Sequence, residues 1–448
     1  MKVFHRYVLM AFLVGAMLLM QVTTVALAGQ EALTVIYSGN LDGELEPCGC
    51  SEEGNLGGIL RRTTTLDRLK EQHPDAIVIS AGGLIASQGT NDHLKSRYIL
   101  KAFTELNYDA VGVQWTDLSF GDEFASKYDI PWVASNWIAE KDNGDEGFAE
   151  SKAISRKLNG RDVTMRFFSW LDPDSSPTRQ MPGGKPRVYD DIGKLTSTLA
   201  AAKEEGVLTV LATSLPLAII QEQMPLANVD ILFVRAGYEV YGEPKKQGNT
   251  LILEPGSRGM RLGKLQLTLD KQNNIVSWRH EVIPMPESVP EAPRMADWYK
   301  AYNAEVKEDY QRRVAIRKQQ ESGDSPFAGE EQCKQCHAKQ HKVWQNSEHA
   351  IAFEDLEIVQ KSFDPVCIQC HVVGFNQAGG FVDISLTPHL MNVQCENCHG
   401  AGKQHVTSGG QKPVANHDWP KAKMCGQCHV QKHSPSFKID QYWPKIAH

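Results

Sequence analysis

The pentapeptide Cys-x-x-Cys-His occurs four times in the last quarter of this 448-residue chain. The copies are Cys333/Cys336/His337, Cys367/Cys370/His371, Cys395/Cys398/His399 and Cys425/Cys428/His429. Two thiols three residues apart can each form a thioether to a vinyl group of one porphyrin. The histidine that follows then presents its imidazole to the iron. Four copies therefore predict four covalently bound haem c groups. Structural zinc is the competing chemistry, because paired Cys-x-x-Cys knuckles make tetrahedral sites. Zinc does not require a histidine directly after the second cysteine, and here one follows every time. A disulfide inside each Cys-x-x-Cys is expected only in protein that failed to receive haem. Eight of the ten cysteines lie between Cys333 and Cys428, which marks a local binding device rather than a scattered disulfide framework.

Each haem iron can take a sixth ligand, and eleven of the fifteen histidines lie beyond Ser325. His341, His349, His389, His405, His417, His433 and His448 are spare. His349 leads as a distal ligand and His405 follows; His417, His433 and His448 are further candidates. Met391 and Met424 are read as packing residues that also offer a sulfur. An iron left without a sixth ligand is free to bind a small molecule. The stretch from Ser325 to His448 supplies little polypeptide per haem, so the porphyrins must form much of the apolar core. Haems packed that closely form a path for electrons.

The elements that must carry this device differ along the chain. Short apolar runs predict strands at Leu33–Ser38, Ala76–Ser80, Val207–Ala212, Ile231–Val234, Leu251–Leu253 and Leu262–Leu269. Helices are predicted over Ile59–Glu71, His93–Leu106 and Ile192–Glu205. This is an α/β sandwich pattern, expected over 29–285. Pro284, Pro286, Pro290 and Pro293 follow. Met295, Trp298, Tyr299, Tyr302, Val306, Tyr310 and Val314 then recur at three- and four-residue steps, one apolar helix face read as packing. The polar run Lys318–Asp324 closes this linker (286–324), and 325–448 is expected to be mostly helical and haem-packed.

The first 28 residues read as a secretory leader: basic Lys2 and Arg6, apolar Val8 to Met20, and a small-x-small site at Ala26-Leu27-Ala28. A retained anchor is the alternative, but the apolar core is short for a span of about 20 residues. No other run reaches spanning length, so no integral membrane span is expected after cleavage. Loss of two basic residues takes the net charge from −7 to −9, and haem propionates add more negative charge. That argues against nucleic acid as a partner. The chain is expected to be exported, to the periplasm or beyond.

Several segments carry a resemblance. Ser325-Pro326-Phe327-Ala328-Gly329 precedes the first motif, and Trp344, Ser347, His349 and Ala350 follow it. Then come Cys370-His371-Val372-Val373-Gly374-Phe375, Gly379-Gly380-Phe381, and Val393 to Gly402 with Cys395-Glu396 and Cys398-His399-Gly400. From Ser325 to Val430 the chain resembles the tetrahaem cytochrome that accepts electrons from hydroxylamine oxidoreductase, and its multihaem relatives. The resemblance implies that His349 is a distal haem ligand and that one iron lacks a strong sixth ligand. The region after His405 departs from the pattern.

The N-terminal region is similar to the catalytic domain of periplasmic 5′-nucleotidases, which are dinuclear metallophosphoesterases. Leu45 to Cys50, Gly57 to Arg62, Tyr108 to Gly112 and Glu254 to Ser257 carry that likeness in order. The family's metal ligands should fall at Asn40-Leu41-Asp42, Gly82-Gly83, Gln114 to Asp117, near Ser214, and at Arg235 to Tyr238. Every histidine is missing. Asn40, Asp42 and Asp117 remain as oxygen donors, too few to hold two cations over a phosphate. Cys48 and Cys50 are read as free thiols, with a strained bridge or metal ligation as alternatives.

The reading is an electron carrier passing electrons between redox proteins such as cytochromes or quinol-linked reductases. Its alternatives are a haem enzyme reducing a small nitrogen or sulfur species, and a phosphoesterase with accessory haems.

Overall fold

A computed structural model describes residues 32–47, 55–87, 89, 91–139, 147–177, 187–235, 241–320, 324–431 and 433–448. The leader (1–28), Cys48, Cys50 and Ala236-Gly237-Tyr238 lie outside the described residues.

Two six-stranded sheets make up the N-terminal part among the described residues. The first contains β1 (Leu33–Ser38), β2 (Ile77–Ser80), β3 (Ala110–Gly112) and β4 (Trp132–Val133). The second contains β5 (Lys152–Leu158), β6 (Arg161–Trp170), β7 (Leu208–Thr213), β8 (Ile231–Val234), β9 (Lys245–Gln247) and β10 (Thr250–Leu253). The chain then returns to the first sheet as β11 (Arg261–Leu269) and β12 (Ile275–Pro284). The orders are β12-β11-β1-β2-β3-β4 and β5-β6-β7-β8-β10-β9. Pairing is parallel through β1 to β4 and β6-β7-β8-β10, and antiparallel at the outer strands.

Alternation along β1 and β2 explains the layering. Val35, Tyr37, Ile77 and Ile79 face the second sheet, where they meet Met165, Phe167, Val210 and Phe233. Ile36 and Val78 point the other way. They pack under α1 (Ile59–Gln72) and α2 (Asp92–Leu106). α3 (Ile192–Glu204) covers the outer face of the second sheet through Leu195, Leu199 and Ala202. The result is helix, sheet, sheet, helix.

α4 (Ala296–Gln320) is the connection. Its aromatic stripe splits in two. Tyr302 and Val306 are buried in the N-terminal core, and Tyr310 is buried in a second core with Phe327, Phe353, Ile368, Val373 and Phe381. One helix thus belongs to both cores. Short helices fill the C-terminal region, among them α5 (Glu330–Lys334), α6 (Pro365–His371), α7 (Cys395–His399) and α8 (Lys421–Cys425).

Candidate functional site

Each Cys-x-x-Cys-His motif sits on a helical turn. In the first, the amide of His337 donates to the Cys333 carbonyl at 2.8 Å, and in the fourth His429 donates to Cys425 at 2.9 Å. The second and third motifs lie within or along α6 and α7. Positions i, i+3 and i+4 share one helix face, so both thiols and the imidazole project together.

The spare histidines then separate sharply. His405 stands opposite His337, with ring centres 6.1 Å apart. His448 stands opposite His399 at 5.9 Å, and His349 opposite His429 at 6.2 Å. Metal–imidazole bonds are about 2 Å long, so two imidazoles on one metal have ring centres about 6 Å apart. The three gaps match that spacing. Among the described residues no second histidine ring is paired with His371 in this way.

Ring orientation fits the same chemistry. His405 Nδ1 donates to the Lys412 carbonyl at 2.7 Å, and His448 Nδ1 donates to the Ile446 carbonyl at 2.9 Å. His371 Nδ1 is held by the Ala352 carbonyl. A carbonyl only accepts, so in all three the proton is on Nδ1 and the Nε2 lone pair is left for a metal. His429 has Nδ1 3.2 Å from Ser434 Oγ and stacks on Phe437 with ring centres 4.3 Å apart. His341 and His417 are turned the other way. Their Nε2 atoms face Glu330 and Asp418 respectively. The side chain of His389 lies beside Gly329. Met391 packs at the edge of the C-terminal core. Burial first, and then the neighbouring His429 and His371, lower the pKa of His349 and favour its neutral, metal-binding form.

The motifs are knitted into one array. The thiols of Cys333 and Cys395 lie close together, as do those of Cys370 and Cys428, while Cys398 lies near Cys425 and Cys428. The spatial order is first, third, fourth, second. Glu396, 5% exposed, accepts from the amides of Ala328, Gly329 and Gly402 at 2.7–3.0 Å. Gln394 accepts from Glu330 N at 2.8 Å and donates to the carbonyls of His389 and Met391. Asn397 reaches the Val372 carbonyl at 2.8 Å, and Gln427 reaches the Asn397 carbonyl at 3.0 Å. Residue spacing gives no hint of Gln394, Asn397 or Gln427. Gly329, at φ 78°, is the visible trace of the Glu396 contact, because it lets the backbone turn its amide inward.

Residues 332–400 match the cytochrome c554 and c-prime family. Cytochrome c-554 of Nitrosomonas europaea is 32% identical over 148 residues, covering 26% of this chain and 63% of that protein. The chain thus spans less than two thirds of that relative's length. The likeness supports a multihaem cytochrome c, and a cytochrome c holds its haem covalently. The N-terminal fold is similar to a 5′-nucleotidase precursor from Thermus thermophilus. The TM-score is 0.51 at 18% identity, over 61% of this chain and 59% of that one. It is also similar to the sulfate thiohydrolase SoxB of the same organism in complex with glycerol, at TM-score 0.52 and 15% identity, over 63% of this chain and 62% of that one. At these identities the likeness establishes the fold alone.

At the positions expected from the sequence to carry metal ligands, the side chains of this chain bind one another. Asn40 and Gln114 bind each other reciprocally at 2.8 and 3.1 Å, and Asn40 also donates to Asp42 at 3.2 Å. Asp117 accepts from the amides of Gly83, Leu84, Ile85 and Gln114, so both its oxygens are occupied. Burial pushes Asp117 up to about 6 against the pull of those four donors. Gly83 has φ 70°, and a Cβ there would meet the Asn40 amide at 2.5 Å. The ring of Tyr241 lies directly on Gly256, where a Cβ would meet it at 1.9 Å. Among the described residues, this domain has no cluster of three histidine, cysteine or carboxylate side chains able to hold a metal ion.

Proposed function

We propose that this chain is an exported electron-transfer protein with four covalent haems, three of them bis-histidine ligated and one open. The observation that carries the reading is the three histidine pairs about 6 Å apart. Haem, when bound, supplies a reversible one-electron ferric/ferrous couple. Cys333 and Cys336, Cys367 and Cys370, Cys395 and Cys398, and Cys425 and Cys428 anchor the four groups. His337, His371, His399 and His429 are the proximal ligands. His405 completes the first site, His448 the third and His349 the fourth.

The protein's contribution is positional. The carbonyls of Lys412, Ile446 and Ala352 fix the tautomers of His405, His448 and His371. Glu396, Gln394 and Asn397 hold the motifs in register, so that electrons have a short route across the array. The unpaired His371 favours a second capability at the same array, namely binding of a small nitrogen or sulfur species at the second site.

The domains divide at a leader (1–28), a metallophosphoesterase-like domain (29–285), a linker helix (286–324) and the haem domain (325–448). The metallophosphoesterase-like domain serves docking rather than hydrolysis, and the closed Asn40–Gln114 pair supports this. No helix among the described residues is long and apolar enough to cross a membrane. Export is supported by the leader pattern and by c-type haem chemistry. The partners are other redox proteins, cytochromes or quinol-linked reductases.

Electron paramagnetic resonance of the ferric protein tests the reading. It predicts one high-spin haem for every three low-spin haems. Four low-spin haems would remove the open site, and no bis-histidine signal would overturn the ligand assignment.

A further inference from the structure

A half-buried knot of charged and phenolic groups lies between the N-terminal domain and the second haem motif. Glu46 comes from the loop after β1, and Tyr299, Tyr302 and Asn303 come from α4. Lys361 and Asp364 come from the turn ahead of α6, the helix that bears Cys367, Cys370 and His371. The Lys361 side chain is 12% exposed and ion-paired with Glu46. Its ammonium donates to Asn303 Oδ1 at 2.6 Å and lies over the rings of Tyr299 and Tyr302, at 5.3 and 5.6 Å from their centres. The Tyr299 hydroxyl donates to Glu46 as well.

The knot runs straight into the helix. Asp364 N donates to the Lys361 carbonyl at 2.9 Å. The Asp364 carboxylate caps α6 by accepting from Val366 N at 3.0 Å. Its carbonyl accepts from Cys367 N at 3.0 Å and Ile368 N at 2.9 Å. Phe363 packs against both the N-terminal and the C-terminal core. Burial alone would lower the Lys361 pKa, but Glu46 and Tyr299 outweigh it and hold the ammonium charged. A buried ion pair contributes little net stability compared with apolar groups of the same shape, while losing one partner is costly. What such a pair does well is fix position.

We infer that Lys361 and Glu46 are positioning residues for the second haem, fastening the first turn of α6 to the metallophosphoesterase-like domain so that this domain sets the potential of that haem alone. The inference rests on the reading of Cys367/Cys370/His371 as a haem site. The contacts that register the other motifs, from Gln394, Glu396 and Gln427, are made within the haem region itself.

The test uses the full-length protein with its haems. Each midpoint potential is followed by spectroelectrochemistry, and the high-spin signal by electron paramagnetic resonance. Ferric haem carries one more positive charge than ferrous haem, so nearby anions lower a midpoint and nearby cations raise it. Lys361→Met leaves Glu46 and Asp364 uncompensated and lowers the midpoint of the high-spin haem. Glu46→Gln, the same shape without the charge, raises that midpoint. Lys361→Arg retains the wild-type value. The other three midpoints stay put throughout. Should Lys361→Met fail to accumulate, Glu46→Gln decides alone. A four-haem Glu46→Gln protein with all midpoints unmoved, or with all four moved together, overturns the inference. Absence of haem from the wild-type peptide bearing Cys367 and Cys370 would instead remove the underlying reading of that motif.

Discussion

The N-terminal cleft and the C-terminal histidine array both gather polar side chains, and they use them in opposite ways. In the cleft, the side chains at the expected ligand positions have protein partners. Asn40 and Gln114 satisfy each other, and Asp117 takes four backbone amides. In the array, His405 and His448 spend Nδ1 on a carbonyl and keep Nε2 free, facing His337 and His399 across gaps of about 6 Å. The lesson is that two polar clusters are told apart by what their polar atoms do. Motif counting alone does not separate them.

Removing anchors from the middle of the array should have the largest effect. Cys395→Ala with Cys398→Ala takes away the motif that stands between the first and the fourth. The expected outcome is loss of most holoprotein, read by haem stain and yield. Cys367→Ala with Cys370→Ala, at the end of the spatial order, should leave a protein lighter by one haem. Equal damage from the two pairs would break the proposed order.

Distal ligands come next. His405→Ala, His448→Ala and His349→Ala should each convert one low-spin haem to high-spin, seen by electron paramagnetic resonance. His417→Ala should convert none, because its Nε2 already faces Asp418. A spin change in the His417 variant would reassign the ligands.

Glu396→Gln should lower stability by about 2–3 kcal/mol, since a charged acceptor of three buried amides becomes neutral. Thermal unfolding of the holoprotein checks this. In the cleft, Gly83→Asp restores the residue type expected of a metal site, yet should cost about 1–3 kcal/mol through strain at positive φ and should restore no nucleotide hydrolysis. The smallest expected effect is none. Millimolar Mn²⁺ or Zn²⁺ should leave the melting temperature of the N-terminal domain unchanged. A rise of several degrees would mean that the cleft still binds metal with useful affinity.

Much of this was legible in the sequence, for identifiable reasons. β1 and β8 match their predicted bounds, and α1 and α2 differ by a residue at one end, because buried parallel strands read as apolar runs and amphipathic helices keep their period. β3 and β4 have only three and two residues and gave no pattern, while the β5–β6 hairpin and β12 carry exposed polar residues that mask alternation. The Cys-x-x-Cys-His motifs were plain because covalent attachment demands fixed spacing. His349, His405 and His448 were legible as candidates, but which motif histidine each would face was not. His405 lies 68 residues from His337 and His448 lies 49 from His399, and the carbonyls that orient them belong to the backbone, which sequence does not mark. Lys361 and Glu46 were invisible for the same reason, since their pairing spans the two domains.

The most direct test of the central claim is the intact mass of the matured protein, with haem-peptide mapping and its reduced visible spectrum. The account predicts four haems, one on each Cys-x-x-Cys-His peptide, and a c-type spectrum. Colourless protein, zinc in place of iron, or a motif peptide without haem would contradict it.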